Sequence, residues 1–443
     1  MKLITNFIIA ALLFISVQAA YSQAKPLSLQ EAVQLATENN PDLKISQKEI
    51  DKSLQQKVIA RSLFLPTVNA NASANHYFQL TPFFGFGEAT SEGKIPYGRF
   101  GGEDQFGTSI AAIQPLYNPQ AFPSLQRARL QEQESKIAWN GKQVSILASV
   151  KQTYLQLLVL NERIQLQRES INRNQRVLKD ARALLIQGKG LRVDTLRAYT
   201  SVKNLEPDLM KLSYAIETSK LQLKALIGLD SLQDVTLTDS LSLPDPGSIP
   251  QEEEVYNTAK QNNADYQQLS LQQQISEQQI KQANASRLPV VSAVGQYQVQ
   301  SQTNKFDYGS AYYPASSFVG LQVSVPLFTG FGNQAKVKQA GITHEQSSLR
   351  LKNAHEQLRA VVHQVVANGH ESIARLQTTA SVQETAKLSY TIIQYRYTKG
   401  IASRLELTDA ELALTASQSN YLEAVYDYLS ARIALLQLMG RVE

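Results

Sequence analysis

One short motif occurs twice in this chain, and its duplication limits the folds open to it. The first copy is Gln187-Gly188-Lys189-Gly190-Leu191-Arg192-Val193-Asp194; the second lies within Tyr397-Thr398-Lys399-Gly400-Ile401-Ala402-Ser403-Arg404-Leu405-Glu406. An offset of 212 (188 to 400, 192 to 404, 194 to 406) sets Gly on Gly, Arg on Arg and acid on acid. Each copy reads as a tight turn between two long helices. Gly400 suits the left-handed C′ position, where a Cβ is penalised. Ser403 suits the N-cap of the returning helix, and Glu406 three residues on completes a capping box. A duplicated tip requires a search for a whole-chain repeat.

The repeat is there. Asn40-Pro41-Asp42-Leu43 recurs as Asn263-Ala264-Asp265-Tyr266, and Leu65-Pro66 as Leu288-Pro289, both at offset 223. Ile227-Gly228 returns as Met439-Gly440, and Pro115-Leu116-Tyr117 as Pro326-Leu327-Phe328. Each half predicts helix, strand, loop, strand, long helix, tip, return helix. In the first half a helix begins near Leu27, capped by Ser28 with Glu31. A break at Asn39 to Leu43 and a second helical segment lead to Pro66. From Thr67 the period becomes two: Val68, Ala70, Ala72 and Ala74 alternate with Asn69, Asn71, Ser73 and Asn75. A long Gly-, Phe- and Pro-rich loop is expected over 80–104 and a second strand over 105–114. The helical stretch 119–187 has Gly141 as its only glycine and would reach roughly 100 Å. The return helix, 194–227, is expected to kink at Pro207.

The stretch 229–250 interrupts the pattern. Val235-Thr236-Leu237-Thr238 reads as a short strand, and Pro244, Pro246, Gly247 and Pro250 mark a linker. The second half then offers a strand with Val291, Ala293, Tyr297 and Val299 opposed to Ser292, Gln296, Gln298 and Gln300, with Val294 out of pattern. A Tyr-rich loop spans 301–316. The next strand sets Val319, Leu321, Val323 and Val325 against Gly320, Gln322 and Ser324. Long helices over about 332–398 and up to 439 complete it. The division is therefore 1–22 leader, 23–228 first repeat with a strand hairpin over about 66–116, 229–250 linker, and 251–443 second repeat with a hairpin over about 289–327.

The leader is a secretory signal: Lys2, the apolar run Phe7 to Val17, and Ala20-Tyr21-Ser22 before cleavage ahead of Gln23. The run is shorter than the ~20 apolar residues a spanning helix needs, and no other stretch qualifies. The mature chain is then either soluble or in a membrane as barrel strands. With no cysteine, disulfides, thiolate metal sites, a lipid-anchor cysteine and Cys nucleophiles are excluded. The net charge of +5 is spread along the chain without a basic cluster, which argues against a nucleic-acid partner. His344, His355, His363 and His370 share one predicted helix. His363 and His370 share a face, an exposed polar face rather than a convergent metal site. No catalytic constellation or cofactor motif emerges, so an enzyme is not expected.

Dyad alternation suits an outer-membrane barrel wall, with one face to lipid and one to a wet lumen. It equally suits a soluble antiparallel sheet with one buried face. In lipid, four strands per chain cannot stand open-edged, so a barrel must close by oligomerisation. The long helices are rich in Gln, Ser and Lys, as in the wall of a hollow helical tube or a long coiled coil.

The order of these motifs resembles the outer-membrane efflux protein family, the TolC-like channels. Its marks are Leu27-Ser28-Leu29-Gln30-Glu31-Ala32 with Asn39 to Leu43, the paired Leu-Pro steps, the paired strand ends, and the tip followed by Leu405-Glu406-Leu407-Thr408-Asp409-Ala410. The resemblance covers nearly the whole mature chain. It implies a mainly α fold with a membrane β part: a homotrimer whose four strands per chain form a twelve-stranded barrel in outer-membrane lipid, with an α-helical barrel extending into the periplasm. It implies a passive export channel of a tripartite efflux or type I secretion system, with a periplasmic adaptor and an inner-membrane transporter as partners. A periplasmic coiled-coil structural or adaptor protein is the alternative.

The resemblance also assigns a periplasmic gate. Glu406 and Asp409, at i, i+3 on one helical face, would give six carboxylates around a threefold axis, a cation-favouring ring. Arg192 and Arg404 would pair with these acids or with Asp194, and Tyr397 would hydrogen-bond at the gate. The family places a basic residue two positions after the tip glycine, where this chain has Gly190 and Ala402. Gln187, Gly188, Lys189, Gly190, Lys399 and Gly400 would be the adaptor-docking tips.

Overall fold

The computed structural model describes residues 25–85, 87, 92–242, 247–305, 307, 309 and 311–441. The expected leader, Pro244 and Pro246 lie outside the described residues. In chain order the elements are β1 (Lys25–Leu27), α1 (Leu29–Asn39), α2 (Pro41–Ser62), β2 (Thr67–His76), β3 (Pro82–Phe84), β4 (Tyr97–Arg99), β5 (Asp104–Tyr117), α3 (Ala121–Ile186) and α4 (Arg192–Ile227). Then follow β6 (Val235–Leu237), α5 (Glu252–Asn262), α6 (Ala264–Ala285), β7 (Val290–Thr303), β8 (Ala315–Ser324), α7 (Gly332–Thr398) and α8 (Arg404–Leu438). Corresponding helices match in length: α1 and α5 have 11 residues, α2 and α6 have 22. The long pair has 66 and 67, the return pair 36 and 35.

The elements differ from the expectations in several places. Three residues ahead of the first helix form β1, and α1 begins at Leu29 directly after its expected cap Ser28. The ribbon β3–β4 lies inside the stretch expected to be loop, pairing Phe83 with Gly98. Strand β5 runs to Tyr117, passing its Pro115/Tyr117 irregularity rather than ending at Pro115. Helix α4 starts at Arg192 instead of Asp194, and Pro207 lies inside it.

Contacts group the chain into two compact units, and each half of the sequence contributes to both. The first comprises the described parts of Met1–Ile50, Ser135–Leu269 and Leu351–Glu443; the second, those of Asp51–Glu134 and Ser270–Arg350.

The first unit holds two cores that repeat one another. Ala32, Ala36, Ile146, Val150, Leu223 and Ile227 are buried in one. Val255, Ala259, Leu358, Val362, Leu435 and Met439, at the equivalent positions, are buried in the other. Large apolar side chains buried this way contribute about 1.5–3 kcal/mol each. The copies diverge at Tyr154, whose equivalent in the second core is Val366. The Tyr154 hydroxyl lies 2.9 Å from both the Leu27 carbonyl and Asp239 Oδ2, and that carboxylate also accepts from the Leu29 N–H at 2.8 Å. Burial, with the Asp239 carboxylate beside it, pushes the Tyr154 phenol well above its usual range. These bonds tie down β1, which pairs in parallel with β6, Leu27 and Val235 being fully buried. Ser28 caps α1 with the expected box: its Oγ accepts from the Glu31 N–H at 3.2 Å, and its N–H donates to Glu31 Oε2 at 2.8 Å. Those hydrogen bonds hold the Glu31 carboxyl below the usual range.

The second unit is built on one antiparallel sheet in the order β2-β5-β7-β8. The register sets Ala70, Ile110 and Tyr297 side by side, then Val68, Ala112, Gly295 and Val319, and pairs Ala293 with Leu321 and Val291 with Val323. One face is therefore apolar across all four strands. The other carries rows such as Asn71, Ser109, Gln298 and Ser316. β2 is exposed along its whole length, and on the apolar face Val68 is 65% exposed, Val319 88% and Leu321 73%. Much of the face a soluble sheet would bury is exposed, as at a surface that meets a partner or lipid.

Candidate functional site: the helix tips and the sheet

Both tips are closed by a left-handed glycine. Gly188 has φ +69° and Gly400 φ +73°, the conformation that ends a helix with least strain. At the first tip the N–H groups of Lys189 and Gly190 both donate to the Leu184 carbonyl at 3.0 Å. A Cβ on Gly190 would stand 3.0 Å from Leu184 Cβ and from the Leu185 nitrogen, so the turn has little room for a side chain there. At the second tip, Ile401 and Ala402 donate to the Arg396 carbonyl at 2.9 and 3.3 Å. Gln187, Gly188, Lys189, Lys399 and Gly400 are exposed, and Gly190 is half-buried. Lys399 Nζ sits 5.6 Å from the Tyr395 ring centroid, a weak cation–π contact at an exposed site.

The two returning helices begin differently. Leu191 precedes α4 without a side-chain cap, whereas Ser403 Oγ accepts from the Glu406 N–H at 3.2 Å. The Ser403 N–H donates to Glu406 Oε2 at 2.7 Å. The Glu406 carboxylate therefore serves the cap while remaining exposed. Asp409, one turn on, is exposed, and its carboxylate makes no hydrogen bond or ion pair among the described residues. Arg192 is exposed; Asp194, Arg404 and Tyr397 are half-buried. Among the described residues of one chain, no ion pair joins Arg192 or Arg404 to Asp194, Glu406 or Asp409.

The charge pair that is buried here lies elsewhere. Glu411, 6% exposed, takes a core position on α8 between Leu407 and Leu414. Its Oε1 is 3.9 Å from Arg173 Nε on α3, while Arg173 Nη1 is 3.7 Å from Glu169 and Nη2 3.5 Å from Thr415 Oγ1. Burial pushes the Glu411 carboxyl up, opposed by Arg173, Arg404 and Arg176. Burial and the nearby Glu411 charge push the Tyr390 phenol up as well. The spacing 407, 411, 414 on the buried stripe is the signal in the sequence that marks Glu411.

Among the described residues, no group of three His, Asp or Glu side chains is placed to hold a metal ion. His344, His355 and His363 instead lie beside Ser276 Oγ (3.0 Å), Tyr256 Oη (2.9 Å) and Glu252 Oε2 (3.1 Å). No helix among the described residues is long and apolar enough to cross a membrane.

The family model of outer membrane efflux proteins matches residues 32–229 and 255–441. The alkaline protease secretion protein AprF of Pseudomonas aeruginosa is 22% identical over 414 residues, covering 91% of this chain and 82% of that protein. The outer membrane protein TolC of Vibrio cholerae is 21% identical over 443 residues, covering 99% and 95%. Among solved structures, the outer membrane protein VceC of Vibrio cholerae superposes with a TM-score of 0.74 at 17% identity, covering 94% of this chain and 97% of that one. A membrane protein from Pseudomonas aeruginosa gives 0.77 at 17% identity, covering 93% and 90%. With a duplicated helical tip, a sheet much of whose apolar face is exposed and a family match over both halves, the chain belongs to the outer membrane efflux protein family, whose members sit in the cell outer membrane with helices extending into the periplasm.

Proposed function

We propose that this protein is a passive homotrimeric export duct, serving either a tripartite efflux pump or a type I secretion exporter. The observation that carries the reading is the four-stranded sheet. Its apolar face carries an exposed large side chain on each strand, Val68, Ile110, Tyr297 and Val319, and β2 and β8 are open edges at either side. In hydrocarbon such edges must be paired, and two copies of this chain would give eight strands, three copies twelve. Ten-residue β2 and β8 match the ~9–11 residues that cross a bilayer as a tilted strand. Three is the number the family supports. The 1–22, 23–228, 229–250 and 251–443 division is retained as part of the proposal.

In this reading Glu406 and Asp409 line the periplasmic entrance, with Arg192, Arg404, Asp194 and Tyr397 pairing between protomers. The tip residues Gln187, Gly188, Lys189, Gly190, Lys399 and Gly400 dock a periplasmic adaptor coupled to an inner-membrane transporter, which supplies the energy. The duct has no catalytic role. The names of AprF and PrtF, proteins of protease secretion, support a polypeptide cargo; the family's own name supports efflux. A coiled-coil structural or adaptor protein is disfavoured by the exposed apolar face of the sheet.

The test is single-channel conductance of detergent-purified protein in a planar bilayer, with its oligomer mass measured alongside. A trimer with small conductance that rises when Arg192 and Arg404 are neutralised is expected. A soluble monomer without conductance would remove the duct.

A further inference from the structure

We propose that the β3–β4 ribbon is a lipid anchor: it lies in the headgroup layer of the outer leaflet, with its rings at the acyl boundary and Arg99 on a lipid phosphate. The inference rests on the duct reading, which turns the apolar face of the sheet to hydrocarbon. Helices α2, α3, α6 and α7 all join the sheet at one end, so the ribbon, inserted between β2 and β5, stands at the other. β2 runs ten residues between those ends, and a tilted strand crosses hydrocarbon in ~9–11. His76 and Asp104, paired at 2.8 Å on the apolar face, mark the far limit of the hydrocarbon, because charge on a lipid-facing wall is tolerated near an interface and not at the midplane. The ribbon therefore leaves the sheet at headgroup depth. On the same face Asp104, Phe106 and Ser301, all at this end, are buried, whereas Val68 and Val319 nearer the helices are exposed. The chain added at this end thus shields the side that faces lipid.

The ribbon is firmly seated. At its root the Tyr77 N–H donates to the Glu103 carbonyl at 2.7 Å, and the Glu103 N–H donates to Asn304 Oδ1 at 3.0 Å. A Cβ on Gly102 would fall 2.2 Å from the Thr303 nitrogen, so the chain passes directly against the end of β7. By register Phe84 lies opposite Tyr97 and Pro82 opposite Arg99 on one face of the ribbon, with Phe83 on the other. The Phe84 and Tyr97 ring centroids are 5.7 Å apart, and those of Phe83 and Phe100 6.2 Å. Both faces are thus aromatic, and Phe78, Phe83, Phe84, Ile95, Tyr97 and Phe100 are each more than half exposed. In water such a patch invites aggregation. At a membrane interface aromatic rings and long basic side chains are stable together, ring at the boundary and charge among the headgroups. Arg99 is exposed, makes no ion pair among the described residues, and holds its guanidinium 6.0 Å from the Tyr97 ring centroid. A planar guanidinium takes phosphate oxygens in a two-pronged grip, so the headgroup that completes this site is a phosphorylated one.

The experiment places a reporter in the ribbon. Trp139 is the chain's one tryptophan, so Phe84→Trp in a Trp139→Phe background reports on the ribbon alone. The full-length variant is reconstituted in phosphatidylcholine vesicles whose acyl chains are brominated near the headgroup or near the tail end, with iodide as the aqueous quencher. Emission is expected to be lost most to shallow bromine, less to deep bromine and little to iodide. Emission lost to iodide and untouched by either bromolipid would overturn the proposal and give the ribbon to a soluble partner. Arg99 is read separately, from the melting midpoint of the detergent-purified protein with diphosphorylated lipid A, its dephosphorylated form or inorganic phosphate. The midpoint should rise with the phosphorylated lipid only. Arg99→Gln should abolish that rise and Arg99→Lys keep part of it. An Arg99→Gln variant that rises as wild type does, or an equal rise with dephosphorylated lipid or inorganic phosphate, would overturn the assignment of Arg99 to a lipid phosphate. Protein that fails to float with the vesicles would overturn the duct reading itself, and this inference with it.

Discussion

The side-chain amide of Asn40 donates to the Leu226 carbonyl at 2.7 Å, joining the start of α2 to the end of α4 across 186 residues. The same side chain accepts from the Leu43 N–H at 3.1 Å, capping α2. Asn263 repeats both bonds, to the Leu438 carbonyl at 3.4 Å and from the Tyr266 N–H at 3.1 Å. Beside each joint a left-handed glycine lies where a Cβ would fall 2.7 Å from the Asn39 carbonyl oxygen (Gly228) or 2.6 Å from that of Asn262 (Gly440).

Asn40→Ala should therefore destabilise the fold by about 1–3 kcal/mol, the cost of leaving buried backbone groups unmatched. Asn263→Ala should cost less, since its interhelical bond is longer. Thermal melting of the purified protein in detergent checks this; an unchanged midpoint for Asn40→Ala would show that the joint holds without it.

Ala72 and Asn71 are neighbours on β2 with opposite faces. Ala72→Lys should cost about 2–4 kcal/mol if it meets the bilayer midplane, lowering the amount of protein assembled in the outer membrane. Asn71→Lys should leave assembly near wild type. Heat-modifiable mobility of membrane fractions reads both, and equal loss from the two variants would reject the face assignment.

Glu411 predicts a pH dependence. Its carboxyl is raised above its ordinary 4.5, so the folded protein keeps that proton to higher pH than the unfolded chain. Stability from this group is then fully present below about 4.5 and declines as pH rises through the raised value. Glu411→Gln should flatten that decline. Parallel melting-point profiles for wild type and variant between about pH 4.5 and 7.5 would show that the group does not titrate in this way.

Gly400→Pro combines a ring restricted to φ near −65° with a site at φ +73°. It also removes the N–H that donates to the Tyr397 carbonyl at 3.0 Å. Complementation of export should be lost while oligomers persist in the outer membrane. Normal export by this variant would detach the tip from docking.

The caps and faces were legible because they are local. Ser403 and Glu406 stand three apart, and the alternation from Val68 to Asn75 needs only period two. Strand β6 was legible in Val235 to Leu237, but β1 and its pairing with β6 were not, because three residues meeting three others some 210 positions on leave no local pattern. The β3–β4 ribbon was hidden by its Gly, Phe and Pro content, which reads as loop. Glu411 was passed over because an acid on a long polar helix normally faces water. Only its place between Leu407 and Leu414 says otherwise. The tip acids were legible as residues, but the pairing proposed between protomers is a relation that a single chain cannot display.

The clasp also has a history in time. A chain made N-terminus first delivers Lys25 to Leu27 long before Val235 to Leu237. Synthesis adds about 5–20 residues per second, so the first strand is made roughly 10–40 s before its partner. Through that interval Leu27 and the surface that will receive Tyr154 stand open to water and to other chains. The first repeat cannot mature on its own schedule: its completion is timed by the arrival of the linker that follows it.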